Sequence, residues 1–386
     1  MNATHLRTAV LVLLVVLAAS CGGGNSNMTP PGGDCVPASP PEFAYVLNGD
    51  SVSMYTVDSC NGSLTPTTPA TVATGSSPTQ PAPEQMVADP SGRFAYVANP
   101  VSNAEDAATI SMYTINPMTG VLTPTTPATV PTGFLPQGIA IDPLGKFVYT
   151  ANSDDNTVSM FTINQNTGLL TPTSPAAVPA GRSPDAVTVD PTGKFAYAAN
   201  QDDDTISMYN INPSTGVLTP TTPATVPTGG SPFQITVSPN GKFAYVPNEN
   251  DDNVTGLSQY TINSETGVLT PNTPEFVTTG EQPTGVAVDL SGKFAFVVNR
   301  MDSSISMYTI DPVTGNLTSN GIAGTGGSPF RIVVDPSGKF VYTANESAPL
   351  SIFTLGTNGV LTPAGMVVTG NSAAVAVAVT AAGVKQ

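Results

Sequence analysis

The sequence contains one histidine, no tryptophan and three cysteines in 386 residues, and only 10% of its residues are charged. The single histidine is His5, so the chain after residue 5 has none. Ser-His-Asp and Cys-His nucleophile mechanisms and histidine-ligated metal sites are therefore excluded beyond the amino terminus. No apolar run after residue 20 is long enough to span a bilayer.

Basic residues are scarce. The formal net charge is −16, and it becomes −17 when Arg7 is removed with the first 20 residues. A chain this acidic is repelled by the phosphate backbone, so nucleic acid is not predicted as a partner.

A repeat of 46 to 53 residues accounts for nearly all of the sequence after residue 42. Each copy contains, with small changes, a Tyr-Val-Ala-Asn phrase, a Ser-Met-Tyr-Thr-Ile phrase and a Thr-Gly-Val-Leu-Thr-Pro phrase. Repeats of this length with several strands are typical of radial β-proteins, and the 3.6-residue period of helical repeats is absent. The seven copies open on Phe43, Phe94, Phe147, Phe195, Phe243, Phe294 and Phe340.

Each copy predicts four short strands. In the third copy these are residues 147–152, 157–163, 175–179 and 186–190, with turns rich in Asn, Asp and Gly between them. The proline-containing strand belongs at a sheet edge, whereas the Val-rich strand suits a crowded interior. Four-stranded antiparallel blades around an axis form a β-propeller, so the sequence predicts an all-β, seven-bladed propeller. The missing Trp-Asp and Gly-His phrases exclude the WD type.

The order of the strands also predicts how the ring closes. The chain begins on the second strand of a blade at Phe43 and ends on a Val-rich strand at residues 373–379. We expect this last strand to complete the first blade, so that residues 42–386 form one closed propeller domain.

The amino terminus predicts export. Residues 1–20 combine a basic start, an apolar stretch and small residues, which is the layout of a signal peptide. Cys21 follows directly, and this arrangement resembles the lipobox of bacterial lipoproteins, in which that cysteine is acylated. An ordinary cleaved signal is the alternative. Residues 21–41 are rich in Gly, Asn, Ser and Pro and are predicted to form a flexible tether.

The two remaining cysteines are predicted to form a disulfide. An exported protein is in a compartment that permits disulfides, and pairing Cys35 with Cys60 would join the end of the tether to the first blade. Two free thiols are the alternative.

Charged residues are segregated by turn. Six cations share the turn that follows the Val-rich strand, most of them four residues after an Asp, so that end is expected to be locally balanced. The acidic hairpins between the second and third strands are expected to share a face with the interblade turns, which makes that face the predicted working face. Candidate Ca²⁺ ligands there, with solvated turns as the alternative, are Asp154, Asp155, Asp202, Asp203 and Asp204. No other cofactor is predicted.

The residues that enter each Val-rich strand vary from copy to copy, which is how repeat proteins carry function on a constant scaffold. They are predicted to line the mouth of the central channel. Asp185, Glu84 and Arg331 are the catalytic candidates, because a carboxylate can activate water and a guanidinium can polarise a carbonyl. The alternative is a water-filled channel with Phe233 and Phe330 packed between blades. The candidate ligand-binding residues are Glu84, Gln137, Arg182, Asp185, Gln234, Glu281 and Arg331.

The repeated phrases resemble those of the seven-bladed lactonase-like propellers, which include 6-phosphogluconolactonase-like and Tyr-Val-Thr-Asn repeat proteins. The phrases that carry the resemblance stand at residues 96–99, 111–115, 119–124 and 335–339, and it covers residues 42–386. It implies the propeller fold and a lactonase activity. Members described as lactonases often carry His after the interblade proline, where this chain has Glu84, Gln137, Asp185, Phe233, Thr284 and Phe330.

The sequence favours a monomeric propeller, lipid-anchored at the bacterial cell envelope in the outer membrane, the periplasm or at the cell surface. Its expected role is binding of a partner protein or of a carbohydrate-like, polyhydroxylated small molecule. One alternative is a lactonase, or sugar-acid lactone hydrolase, and another is a structural envelope protein. Contact with the membrane is expected only through the lipid anchor.

Overall fold

The computed structural model describes residues 41–75, 83, 85–101, 107–249, 256–346, 348–368 and 378–381. Within these ranges the chain forms 28 strands, which pair into seven four-stranded sheets. Every pairing in these sheets is antiparallel, and the predicted seven-bladed propeller is confirmed. No helix in this described part of the chain has the length and apolarity needed to cross a membrane.

The first four blades follow the chain. Blade 1 contains β1 (Glu42–Asn48), β2 (Ser51–Val57) and β3 (Leu64–Ala73). Blade 2 contains β4 (Gln85–Ala88), β5 (Phe94–Asn99), β6 (Thr109–Ile115) and β7 (Leu122–Pro131). Blade 3 contains β8 (Pro136–Ile141), β9 (Phe147–Asn152), β10 (Thr157–Ile163) and β11 (Leu170–Pro179). Blade 4 contains β12 (Pro184–Val189), β13 (Phe195–Asn200), β14 (Thr205–Ile211) and β15 (Leu218–Pro227).

The last three blades repeat the pattern, and the final strand returns to blade 1. Blade 5 contains β16 (Thr236–Val237), β17 (Phe243–Asn248), β18 (Gly256–Ile262) and β19 (Leu269–Thr278). Blade 6 contains β20 (Pro283–Val288), β21 (Phe294–Asn299), β22 (Ser304–Ile310) and β23 (Leu317–Gly324). Blade 7 contains β24 (Pro329–Val334), β25 (Phe340–Asn345), β26 (Leu350–Leu355) and β27 (Leu361–Val367), and the last strand is β28 (Ala378–Ala381).

The last strand closes the ring as predicted. β28 pairs with β1, with Ala44 opposite Val379 and Glu42 opposite Ala381. The predicted strand covers residues 373–379, whereas β28 begins at Ala378 and continues to Ala381. Residues 373–377 lie outside the described ranges. Blade 1 is therefore assembled from both ends of the chain.

The proline-rich strands occupy the blade edges, also as predicted. In blade 3 this strand is β11, which starts at Leu170, earlier than the predicted residue 175. The register of β10 and β11 shifts between Ser159 and Phe161, so the strand continues past its prolines through a bulge.

The turn between the innermost strand and the second strand is built around a buried aspartate. In blade 3, the Asp142 carboxylate accepts hydrogen bonds from the backbone N–H groups of Lys146 (2.5 Å) and Phe147 (2.7 Å). Asp142 is buried, whereas Lys146 is exposed. In such a turn the anion is inside and the cation is at the surface. The expected balance of charge does not hold for the whole end, because the outer hairpins there add Asp58, Glu265 and Asp311. We call this end of the propeller the lower face.

Candidate functional site

The hairpins between the second and third strands and the interblade turns lie together at the other end, the upper face. Backbone N–H groups of three interblade turns donate to hairpin carboxylates: Phe134 to Asp155 (2.7 Å), Arg182 to Asp203 (2.7 Å) and Glu281 to Asp302 (2.8 Å). The predicted grouping of these turns on one face is therefore correct.

The upper face carries a large excess of negative charge. Eleven carboxylates of the described residues belong to its hairpins, turns and strand starts, against the three guanidinium groups of Arg182, Arg300 and Arg331. Such a surface disfavours anionic ligands over neutral ones. The carboxylates are Asp50, Asp154, Asp155, Asp185, Asp202, Asp203, Asp204, Glu249, Glu281, Asp302 and Glu346.

The residue after the interblade proline sits in a β-bulge. The register between the first two strands shifts at this position in blades 3, 4, 6 and 7, and the bulged residues are Gln137, Asp185, Thr284 and Phe330. A bulge re-aims the side chain that it contains. Asp185 is buried, while Gln137 is half-buried.

Arg331, the predicted catalytic cation, is buried, with 1% of its surface exposed. Its Nη1 donates a 2.7 Å hydrogen bond to the backbone oxygen of Thr284. Its Cζ lies 4.7 Å from the ring centroid of Phe233 and 5.4 Å from that of Phe330. The two rings pack edge to face at 5.2 Å. This guanidinium group is therefore held between aromatic rings from blades 5 and 7.

The other predicted site residues are spread over the upper face. Arg182 is exposed and forms an ion pair with Asp203 at 2.5 Å. Glu281 is exposed as well. The Oε1 atom of Gln234 in blade 5 accepts a 2.8 Å hydrogen bond from the backbone N–H of Val286 in blade 6. Glu84 lies outside the described residues.

The candidate Ca²⁺ ligands accept hydrogen bonds from neighbouring turns. Asp155 accepts from Phe134, Asp203 from Arg182 and Asp204 from the backbone N–H of Ser231 at 2.8 Å. Across the described ranges, no three His, Cys, Asp or Glu side chains are grouped in a way that could hold a metal ion.

Three further charged residues, Glu249, Arg300 and Glu346, lie next to Arg331. They were not among the predicted site residues. Arg300 Nε donates a 3.0 Å hydrogen bond to Oε2 of Glu346, and Arg300 Nη2 forms an ion pair with Oε1 at 2.9 Å. Its Nη1 lies 3.5 Å from Oε1 of Glu249. Its Cζ is 5.4 Å from the Phe330 centroid, so Phe330 contacts both guanidinium groups. We call Glu249, Arg300, Glu346, Arg331, Phe233 and Phe330 the mouth cluster.

Three of the four charged residues of this cluster, Glu249, Arg300 and Glu346, occupy the same place in blades 5, 6 and 7, directly after the strand-ending Asn. Their backbone N–H groups donate to the residue before the interblade proline: Glu249 to Ser231 (3.0 Å), Arg300 to Gln282 (2.9 Å) and Glu346 to Ser328 (2.9 Å). Ser231 and Gln282 have φ of 52° and 51°, a conformation that non-glycine residues seldom adopt. Leu135 and Ser183 in blades 3 and 4 have the same conformation, with φ of 46° and 53°, so this geometry belongs to the repeat and is not specific to the cluster.

The electrostatics of the cluster favour a reactive carboxyl group. Burial raises the pKa of Glu346, Arg300 opposes this shift, and the negative charge of Glu249 adds to it. Arg300 keeps 31% of its side chain exposed, so it can also meet a ligand. The arrangement offers carboxylate hydrogen-bond acceptors and one accessible cation.

One feature of the sequence marks the position of Glu249, Arg300 and Glu346. The residue after the strand-ending Asn varies between copies that are otherwise nearly constant, and it is charged only in blades 5, 6 and 7. In blades 1 to 4 the residue after the strand-ending Asn is uncharged: Gly49, Pro100, Ser153 and Gln201.

The family assignment rests on most of the chain. The sequence profile of the family described as lactonase, seven-bladed β-propeller, matches residues 38–183 and 184–378. The chain belongs to this lactonase propeller family. No curated protein sequence matches it.

Solved structures of similar proteins share the fold. A putative 6-phosphogluconolactonase from Bacteroides fragilis has a TM-score of 0.71 and 21% identity, over 90% of this chain and 100% of that one. A putative 6-phosphogluconolactonase from Bacteroides uniformis has a TM-score of 0.72 and 22% identity, over 88% and 99%. The periplasmic gluconolactonase of Pseudomonas aeruginosa has a TM-score of 0.67 and 20% identity, over 86% and 98%. At these identities the likeness supports the fold of this lactonase-family chain, not its activity.

Proposed function

We propose that the mouth cluster binds a neutral, polyhydroxylated small molecule of the sugar or sugar-lactone class. The observation that carries this proposal is the placement of Arg300, which lies on the Phe330 ring between two carboxylates and keeps 31% of its side chain exposed. Glu249 and Glu346 can accept hydrogen bonds from ligand hydroxyl groups, and Arg300 can donate to a carbonyl or ring oxygen.

The charge of the upper face argues for a neutral ligand. Arg300 already pairs with Glu249 and Glu346, and Arg331 is buried, so neither is a free partner for a phosphate group. The excess of carboxylates on this face would repel a phosphate dianion. Two structural relatives are described as putative 6-phosphogluconolactonases and one as a gluconolactonase, and the charges here favour the unphosphorylated class.

Calorimetric titration of the purified chain with matched ligands tests this selectivity. We expect glucono-1,5-lactone and neutral hexoses to bind and 6-phosphogluconate to bind at least about tenfold more weakly. Tighter binding of the phosphorylated ligand would contradict the proposal, and so would the absence of binding by every neutral ligand.

Lactone hydrolysis is the second candidate, favoured by the family and by the raised pKa of Glu346. In this scheme the Glu346 carboxylate takes a proton from water as the water oxygen attacks the lactone carbonyl carbon, while Arg300 stabilises the oxyanion. The ring C–O bond then breaks, the proton passes to the departing oxygen, and a hydroxy acid results.

A pH-stat assay of sugar lactones tests this hydrolysis, with Glu346→Gln as the inactive variant and Glu281→Gln as the control on the same face. Equal rates in both variants would contradict a role for Glu346.

We also propose that the chain is exported and anchored through a lipid on Cys21, with Cys35 and Cys60 paired. The proposal rests on residues 1–21, which lie outside the described ranges, and on Cys60, which is disulfide-bonded in the structure. One structural relative is described as periplasmic, which agrees with export. Labelling cells with a radioactive fatty acid tests the anchor: label should be lost in Cys21→Ala and kept in Cys35→Ala.

A further inference from the structure

A cavity of about 340 Å³ lies on the propeller axis, enclosed by residues of the innermost strands and inner turns of blades 2 to 7. Its wall extends from Gln85 and Gln234, where these segments begin, to Pro143 and Pro191 in turns of the lower face. The volume falls in the range of small-molecule sites. None of the six residues of the mouth cluster lines this cavity, so it is a separate site.

Most of the wall is apolar. Ile141, Val189, Val237 and Val288 occupy the same position in four neighbouring blades, and all four line the cavity. Transfer of an alkyl group from water to such surroundings is favourable by about 25 cal/mol per Å² of apolar surface buried. The cavity therefore favours a ligand with an apolar body.

The charges around the cavity favour an uncharged ligand. Among the described residues, the only charged side chain that lines it is that of Asp142, which is 3% exposed. Its carboxylate accepts backbone N–H bonds within its own turn, from Leu144 at 3.1 Å and from Phe147 at 2.7 Å. An anion would meet no compensating cation in this wall, and an ammonium group would lose its hydration beside a carboxylate that is already hydrogen-bonded.

Two side-chain amides supply hydrogen-bond donors. Gln85 Oε1 accepts a 2.7 Å bond from the backbone N–H of Ile139, and Gln234 Oε1 accepts the bond from Val286, so each amide is oriented by the next blade. Within the described part of the chain, neither Nε2 group has a protein partner. Gln85 is 1% exposed, whereas Gln234 is half-buried and therefore more accessible to a ligand. A ligand acceptor would satisfy an N–H group that is costly to leave unpaired in such a wall.

A polyhydroxylated ligand is not expected in this cavity. Besides the two amides and Asp142, the polar side chains of its wall are Thr188 and Thr236. The Thr236 hydroxyl already donates to the backbone oxygen of Val286 at 2.9 Å. Each sugar hydroxyl left without a partner would cost binding free energy, so the cavity and the mouth cluster suit different classes of ligand.

We propose that the axial cavity binds a small neutral molecule with an alkyl body and one carbonyl group, of the class of medium-chain ketones, esters and alkyl lactones. The carbonyl oxygen accepts a hydrogen bond from Nε2 of Gln234, and the alkyl body packs against the apolar wall. This proposal is independent of the function proposed for the mouth cluster.

Titration of the purified full chain with 2-octanone, octanoate and octylammonium tests the choice of a neutral ligand, because the three probes share an eight-carbon chain. We expect 2-octanone to bind at least about tenfold more tightly than either ion. Equal or tighter binding of octanoate or octylammonium would overturn the proposal, and so would the absence of 2-octanone binding at millimolar concentration.

A cavity-filling variant locates the bound ketone. Val237 is half-buried in the wall, so Val237→Phe should weaken 2-octanone binding about tenfold or more. Val130→Phe is the matched control, because it makes the same change at a half-buried residue of the outer strand β7, which does not line the cavity. If both variants weaken binding equally, the cavity is not the site. Binding of sugar lactones at the mouth cluster should be unchanged in both.

The donor is tested by Gln234→Glu. A carboxylate keeps an oxygen that can accept from the N–H of Val286, but it replaces the Nε2 donor by a second acceptor. Binding of 2-octanone should weaken about tenfold in this variant and should be unchanged in Gln165→Glu, which makes the same change at an exposed residue outside the cavity. Unchanged binding in Gln234→Glu would contradict the assignment of this amide to the carbonyl.

Discussion

Tyr342 and Gly62 are joined by a hydrogen bond although 280 residues separate them in the sequence. The Tyr342 hydroxyl donates to the backbone oxygen of Gly62 at 2.9 Å and thereby links blade 7 to blade 1. The equivalent bond occurs in five other blades, from Tyr45, Tyr96, Tyr149, Tyr197 and Tyr245. Blade 6 has Phe296 at this position. The Tyr of the repeated phrase is therefore an interblade connection.

Replacing Tyr342 by Phe should destabilise the propeller. The change removes the hydroxyl and leaves a buried carbonyl oxygen without this donor, so the free energy of unfolding should fall by about 1 to 2 kcal/mol. Chemical denaturation measures the effect. Because blade 6 already folds with Phe296, we expect the variant to fold, and an unchanged unfolding free energy would show that the bond contributes nothing to ring stability.

Substitution of the glycine in the Thr-Gly-Val-Leu phrase should cost more. Gly168 has φ of 73°, and a Cβ there would overlap the Phe94 ring of the preceding blade. Gly168→Ala should lower the free energy of unfolding by about 2 to 4 kcal/mol, through backbone strain and overpacking together.

Gly324→Ala is the matched control for that substitution. A Cβ at Gly324 meets no atom within 4 Å, and its φ is not in the left-handed region. Comparable losses in the two variants would contradict the packing explanation.

Glu42 should make stability depend on pH. It occupies the place taken by Lys or Arg in the other six copies, is 7% exposed, and burial together with the nearby Asp335 raises its pKa to about 6. Because the pKa is higher in the folded state than its ordinary value of 4.5, the contribution of Glu42 to stability should be fully present below pH 4.5 and should be lost as pH rises through about 6. The loss from this group is on the order of 1 kcal/mol after allowance for solvent screening.

Melting temperatures across this pH range check the assignment to Glu42. Glu42→Gln should melt higher than the wild type at pH 7.5 and equally at pH 4, whereas the exposed control Glu265→Gln should follow the wild type throughout. A pH dependence unchanged in Glu42→Gln would rule this carboxyl group out as its source.

Removal of β28 should open the ring. Deleting residues 378–386 leaves the inner edge of β1 unpaired and removes the link between blades 1 and 7 at the axis. We expect the whole domain to melt at a clearly lower temperature, while a chain that ends after Ala381 should melt like the wild type. Equal melting of the two truncated chains would contradict closure by this strand.

The fold could be predicted because many residues of the repeated phrases have a structural role in nearly every blade. The strand-ending Asn, for example, bonds the Ser of the next strand, from Asn99 to Ser111 and from Asn345 to Ser351, both at 2.9 Å. Turn residues such as Asp142 are equally local, so their pattern is visible along the sequence.

The mouth cluster could not be predicted in the same way. Arg300 meets its partners across blades, 51 residues from Glu249 and 46 residues from Glu346. The cluster takes residues from three consecutive blades, and these residues meet only when blades 5, 6 and 7 pack side by side. Arg331 was identified from its position in the repeat, but burial between Phe233 and Phe330 depends on side-chain packing that a repeat pattern does not contain.

The most direct test of the proposed function is calorimetric titration of a neutral sugar lactone into the wild type, Arg300→Gln and Arg182→Gln. Both variants lose one guanidinium group from the same acidic face, but Arg182 lies outside the mouth cluster and pairs with the Asp202–Asp203 hairpin. We predict that Arg300→Gln weakens binding about tenfold to a hundredfold and that Arg182→Gln binds like the wild type. Equal binding by all three proteins would show that the mouth cluster is not the ligand site.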